Sequence, residues 1–145
     1  MISSPPLDPY GPARRGTVAT ELALVLPVLV LSVLVCCDFS RVMQHRTVVA
    51  NAARAAAQQG AMKQFTDYTY ADWERRVRAC AEEELNCLGT VDPGQALIVP
   101  SSYTDDAGYR CVAVDVELPF ETVISWGAIP RTIPIYYRAE FRQFR

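Results

Sequence analysis

The sequence is short of several things that chemistry needs. Its 145 residues include one histidine, His45, which leaves little room for imidazole chemistry. Its five cysteines, Cys36, Cys37, Cys80, Cys87 and Cys111, contain no Cys-x-x-Cys pair, and this argues against a zinc ribbon or a thioredoxin-like motif. There is no excess of positive charge. A net charge of -2 and an isoelectric point near 5.4 speak against nucleic acid as a partner. No nucleophile elbow, phosphate-cradling glycine loop or metal-ligand spacing occurs. The reading is therefore of a non-enzyme with no cofactor, no metal and no small-molecule substrate.

What the chain has is apolar residues, unevenly placed. Half of all residues are hydrophobic, and Leu22 to Cys37 is a run with no charge at all. As a helix rising about 1.5 Å per residue, Thr17 to Cys37 would extend about 31 Å. The hydrocarbon of a bilayer is about 30 Å thick, so a membrane span is the favoured reading and a buried globular helix the alternative. Arg14 and Arg15 precede the run, and such charges tend to stay cytoplasmic. Arg41 and Arg46 beyond it weaken that signal. The N-terminus is read as inside and the remainder as exported. Before the arginines, Pro5, Pro6, Pro9 and Pro12 lack any periodicity and mark a flexible leader.

The exit of the run speaks against two processing routes. SVLVCCDFS holds no good small-x-small cleavage site. A lipoprotein signal needs a small residue before the modified cysteine, and Val35 precedes Cys36. Cleavage before the run remains. Arg14-Arg15-Gly16, then Thr17 to Glu21, then the apolar run, resembles the class III signal of type IV pilin-like proteins. The longer string ELALVLPVLVLSVLVCCDFSRV followed by VVANAARAAAQQGA is similar to the TadE-like family of minor pilins, or pseudopilins, of the tight-adherence system. Glu21, Pro27, Asp38 to Arg41 and Asn51 to Arg54 carry the likeness, over roughly residues 14–61.

The resemblance implies that a prepilin peptidase cuts after Gly16. It also implies other pilin-like subunits, a pilus assembly platform and membrane lipid as partners. Gly16 suits a protease subsite, since without a Cβ its backbone extends readily. Cleavage would create an α-amine on Thr17, largely protonated at neutral pH because its ordinary pKa is about 8. Glu21 lies one helical turn on and can pair with that amine, in its own subunit or a neighbour. A buried pair of this kind is costly to break, which would set axial register in a filament. Alternatively, Glu21 simply reaches the headgroups. Pro27 withholds a backbone hydrogen bond and crowds the carbonyl of Ala23, so it either kinks the helix usefully or does so neutrally.

Downstream the expected class is α+β: a long N-terminal transmembrane helix extending into a small exported head, with a second helix and a short antiparallel sheet. The segments are a leader over 1–16, a span over 17–37, a helical extension over 38–65 and a head over 66–145. Val42, Val49, Ala52, Ala53 and Ala56 recur at helical spacing in the extension. Thr69 with Asp72 suggests a capping box. Trp73, Val77, Cys80, Ala81, Leu85 and Leu88 then mark one face of a second helix, ended by Gly89. Glu82, Glu83 and Glu84 point in different directions from consecutive positions and read as a solvated face rather than a catalytic or metal cluster. Ala96 to Val99 is a short strand candidate. Val112, Val114, Val116 and Leu118 alternate within Tyr109 to Pro119 as a half-buried strand. Ile133, Ile135, Tyr137, Ala139 and Phe141 repeat the pattern, with Pro134 implying a late start or an edge. Between them, Phe120, Val123, Ile124, Trp126 and Ile129 form a core-capping loop, a membrane-surface patch or a subunit contact.

The cysteines divide by position. Cys36 and Cys37 end the span and behave as small apolar residues. Cys80, Cys87 and Cys111 would face an oxidising space. On a continuous helix Cys80 and Cys87 stand about 10 Å apart, too far to bond. Cys87 with Cys111 is the expected pair, and Cys80 with Cys87 the alternative if the helix ends early. Two functions compete: a processed pseudopilin acting in pilus assembly and adhesion, and an uncleaved single-span anchor for an extracytoplasmic binding or scaffold protein. Gly16 with Glu21 five residues on separates them, because an anchor requires neither.

Overall fold

Alternating valines set the middle of the fold. In the strand Arg110–Glu121 the side chains of Val112, Val114, Val116, Leu118 and Phe120 all point to one face and are buried there. In the computed structural model this strand, β2, is the centre of a three-stranded antiparallel sheet in the order β1-β2-β3. Its neighbours are β1, Leu97–Thr104, and β3, Thr132–Arg142. The register places Val116 between Ile98 and Tyr137, and Val114 between Pro100 and Ala139. The structure describes residues 12–87, 89, 91–122 and 131–143, with only the backbone for 12–15. Residues 1–11 of the expected leader, Leu88, and Val123, Ile124, Trp126 and Ile129 lie outside the described residues.

Two α-helices and a short 3-10 turn, Pro93–Gln95, complete the described architecture. α1, Pro12–Met62, is one continuous helix that passes through Pro27. α2 is Tyr70–Asn86. The chain divides into two compact units, one through Cys37 and one from Asp38 onward. In the first, every residue from Gly16 to Cys37 is exposed. By length and composition this helix can cross a membrane.

In the second unit the rest of α1 joins the core. Val49, Ala52, Ala53, Ala56 and Ala57 are fully buried with Trp73, Val77, Ala81 and Leu85 of α2 and the inner valines of β2. Gly60 sits where that packing is closest to the helix backbone. A Cβ there would lie 3.0 Å from Val112 Cγ1 and 3.1 Å from Val77 Cγ2. The Trp73 indole N–H donates to the Gly60 carbonyl at 3.1 Å, which satisfies the one polar atom of the largest core side chain. Phe65 stacks on Trp73 at 4.5 Å, and the Arg110 guanidinium lies 4.8 Å over Phe65 while donating to its carbonyl. These contacts fasten the turn between the helices to the start of β2.

Several local expectations change. The capping box at Thr69 is not formed: Thr69 precedes α2, but its side chain makes no cap bond. Its hydroxyl instead accepts from the Thr66 N–H at 2.9 Å, closing the preceding turn. β1 starts at Leu97 and runs on to Thr104, because Pro100 sits in an edge strand, where a missing N–H is tolerated. Phe120 belongs to β2 rather than to a linking loop. β3 starts at Thr132, so Pro134 marks an edge and not a late start. It faces Pro119, which lies beyond the last β1 partner of β2, Glu117. Gly89 follows α2 with φ +59° and its N–H donates to the Asn86 carbonyl at 3.0 Å, in keeping with a helix stop.

The β1–β2 hairpin is held by Asp105. Its Oδ1 accepts from the N–H groups of Ala107 at 3.0 Å and Tyr109 at 2.8 Å, and Arg142 pairs with Oδ2 at 2.7 Å. Gly108, at φ +79°, allows the loop to close. On the outer face of the sheet, Tyr136 donates to Asp115, which Arg138 also approaches at 3.6 Å.

Candidate functional site

The residues singled out near the N-terminus lie on α1, in the unit that contains the apolar run. Gly16 stands inside the helix, four residues from its start. A Cβ at Gly16 would meet nothing within 4 Å. Neither packing nor a positive φ therefore demands glycine at this position. The backbone at Gly16 is helical, which differs from the extended conformation expected of a protease subsite.

Thr17 and Glu21 are four apart and so share one helix face, both exposed. The Thr20 hydroxyl donates to the Thr17 carbonyl at 2.8 Å. Arg14 and Arg15 lie in the same helix, with side chains outside the described residues. Around Pro27 the helix shows lipid-compatible bulk on all sides, with Leu24 80% and Val28 62% exposed. The Ser32 hydroxyl donates to the Val28 carbonyl at 2.8 Å, so its polarity is satisfied within the helix. Chemically, this segment offers a peptide bond flanked by glycine, a carboxylate one turn beyond it, and a wholly uncovered apolar surface.

The second unit contains a groove of about 350 Å³ that the sequence did not suggest. Arg41, His45, Asp92, Phe120 and Glu121 are among its lining residues. His45 bonds through Nδ1 to the Arg41 carbonyl at 2.8 Å, and its ring meets Phe120 edge-on at 5.0 Å. Arg41 lies 5.2 Å over the same Phe120 ring and pairs with Asp38 at 3.5 Å. The single imidazole thus has one nitrogen committed to backbone and its edge to an aromatic ring. The usable signal was the strand alternation, which continues two residues past Leu118 to Phe120. Among the described residues no group of three or more His, Cys, Asp or Glu side chains is placed to hold a metal ion.

The five cysteines carry free thiols. Cys36 and Cys37 are exposed on α1, and Cys87 is exposed at the end of α2. Cys111 is buried on the face of β2 opposite Val112, the residue that meets the Gly60 and Trp73 packing, and so it points away from the helices. No two of Cys80, Cys87 and Cys111 are joined. Cys80 is half-buried; burial, then Glu84 and Glu83, raise its thiol pKa above the ordinary value.

Residues 16–58 match the family model described as TadE-like protein. The chain therefore carries a TadE-like region that begins at Gly16, takes in Glu21, Pro27 and the whole apolar run, and ends within the buried alanine-rich part of α1. No curated protein and no solved structure matches the chain.

Proposed function

We propose that this TadE-like chain is a pseudopilin, or minor pilin, of a tight-adherence pilus, made with a cytoplasmic leader and cut after Gly16 by a prepilin peptidase. The apolar helix sits in the inner membrane with its N-terminus in the cytoplasm, and the α+β head is exported. Other pilin-like subunits, the pilus assembly platform and membrane lipid are its partners in assembly and adhesion. One observation supports this most: the matched region begins at Gly16, a position where nothing within 4 Å restricts a side chain. A glycine without a packing reason suits a residue read by a peptidase. Cleavage would give Thr17 a charged amine one turn from Glu21, where the two can pair within or between subunits.

A second reading, an uncleaved single-span scaffold protein, draws on the unbroken helix that runs through Gly16 and Thr17. Intact mass measurement on protein extracted from membranes separates the two. A chain starting at Thr17 is expected from processing. A chain starting at Met1, in cells that hold an active prepilin peptidase, would overturn the pseudopilin reading.

A further inference from the structure

The exposed surface of α2 carries an ordered set of charges. Arg75, Arg76 and Arg78 occupy its first half and are exposed; Glu82 and Glu83 occupy its second half and are exposed too. Glu83 in the last turn opposes the helix dipole, whereas Asp72 in the first turn suits it. No basic residue stands in the last turn to compensate. Arg75 pairs with Asp72 at 2.9 Å and Arg78 with Glu74 at 3.1 Å, both through exposed contacts that rearrange readily. Among the described residues Glu82 and Glu83 form no ion pair.

The angular positions give this order a direction. At about 100° per residue, Arg75, Ala79 and Glu82 run along the side opposite buried Trp73, Val77, Ala81 and Leu85. Arg76 and Glu83 share one flank of that side, and Arg75 and Glu82 lie toward the other. Reversing the helix about Ala79 carries the position of Arg76 close to that of Glu83, and that of Arg75 close to that of Glu82. Ala79 itself is exposed and small, so it permits a close helix approach.

We propose that this face is a homotypic docking surface, on which two copies of the chain pair through antiparallel α2 helices. A twofold axis near Ala79 brings Arg76 of each copy opposite Glu83 of the other, and Arg75 opposite Glu82. Self-complementarity of this kind is what an isologous contact requires. Parallel pairing sets arginine against arginine and glutamate against glutamate, so the charge order selects the antiparallel arrangement. The inference concerns the head and does not depend on cleavage after Gly16.

The test uses the full chain in detergent micelles, with the exposed Cys36, Cys37 and Cys87 changed to serine and Ala79→Cys added. The same chain without Ala79→Cys serves as control. Mild oxidation is expected to give a disulfide-linked dimer that needs Ala79→Cys and that weakens between about 50 mM and about 500 mM salt. In that background, Glu82→Arg with Glu83→Arg, and separately Arg75→Glu with Arg76→Glu, should each lower the dimer yield about tenfold. Mixing the two charge variants should restore it, which requires both to be folded. A yield unchanged by the charge variants, or a mixture no better than either alone, would overturn the proposal. The milder pair Arg76→Glu and Glu83→Arg, mixed in the same way, guards against misfolding of the double variants.

Discussion

One helix serves two surroundings. From Gly16 to Cys37, α1 exposes leucine and valine on every side. From Val48 to Ala61 the same helix is rich in alanine, and Val49, Ala52, Ala53, Ala56 and Ala57 are entirely buried. Bulky aliphatic side chains present the most apolar surface where nothing in the chain covers them. Small ones let the sheet and α2 come close where everything is covered. The two glycines divide in the same way. Gly16 has open space around it, whereas Gly60 has Val112, Val77 and Trp73 within 3.2 Å of where a Cβ would sit. Helix propensity is common to both halves, so side-chain volume and surroundings make the difference.

The same substitution should therefore fail in opposite ways. Ala56→Arg places an unpaired charge in the head core and should unfold it, at a cost of about 3–5 kcal/mol or more. Thermal melting of the head would register the loss. Leu29→Arg should leave the head folded but oppose membrane insertion by about 2.5–3.5 kcal/mol, seen as a shift from the membrane to the soluble fraction. If Leu29→Arg melted the head as well, the two halves of α1 would not be independent.

A smaller contrast is expected at the glycines. Gly60→Ala should destabilise the head by about 1–2 kcal/mol, overpacking outweighing the gain in helix propensity. Gly16→Ala should leave its stability unchanged in denaturant titration. The smallest effect concerns acid. Backbone N–H donation from Tyr109, ahead of the bond and charge of Arg142, holds the Asp105 carboxyl below its ordinary range. Its contribution is present above the unfolded pKa, about 4, and is lost as pH falls through the lower folded value. Asp105→Asn should flatten that part of the acid-unfolding curve.

The apolar span and the strands of the head were legible because their signals are periodic and local. A long uncharged run needs no partner to be recognised, and Val112 to Leu118 alternates whatever packs above it. Where legibility failed, a distant or competing partner decided. Thr69 has the residue type of a cap, but its hydroxyl was claimed by the Thr66 N–H. Alternation put Cys111 and Ala113 on the outer face, yet both are buried, because Tyr103 and Arg142, and Ser101 and Glu140, stand beside them across the ladder. The cluster of Arg41, His45 and Phe120 draws on residues almost eighty positions apart. Of the N-terminal site, the spacing of Gly16, Glu21 and Pro27 was visible at once. That glycine is unconstrained at position 16 appeared only when its surroundings did.

Among the described residues the small sheet ends at β1 and β3, and each of these outer strands contains a proline, Pro100 in β1 and Pro134 in β3. Open strand sides are the usual route by which closely held copies of a protein fuse into aggregates. A proline withholds a donor from any strand that tries to join there. Copies of the head brought close to one another can then meet through side chains and part again, whereas backbone annealing would lock them together for good.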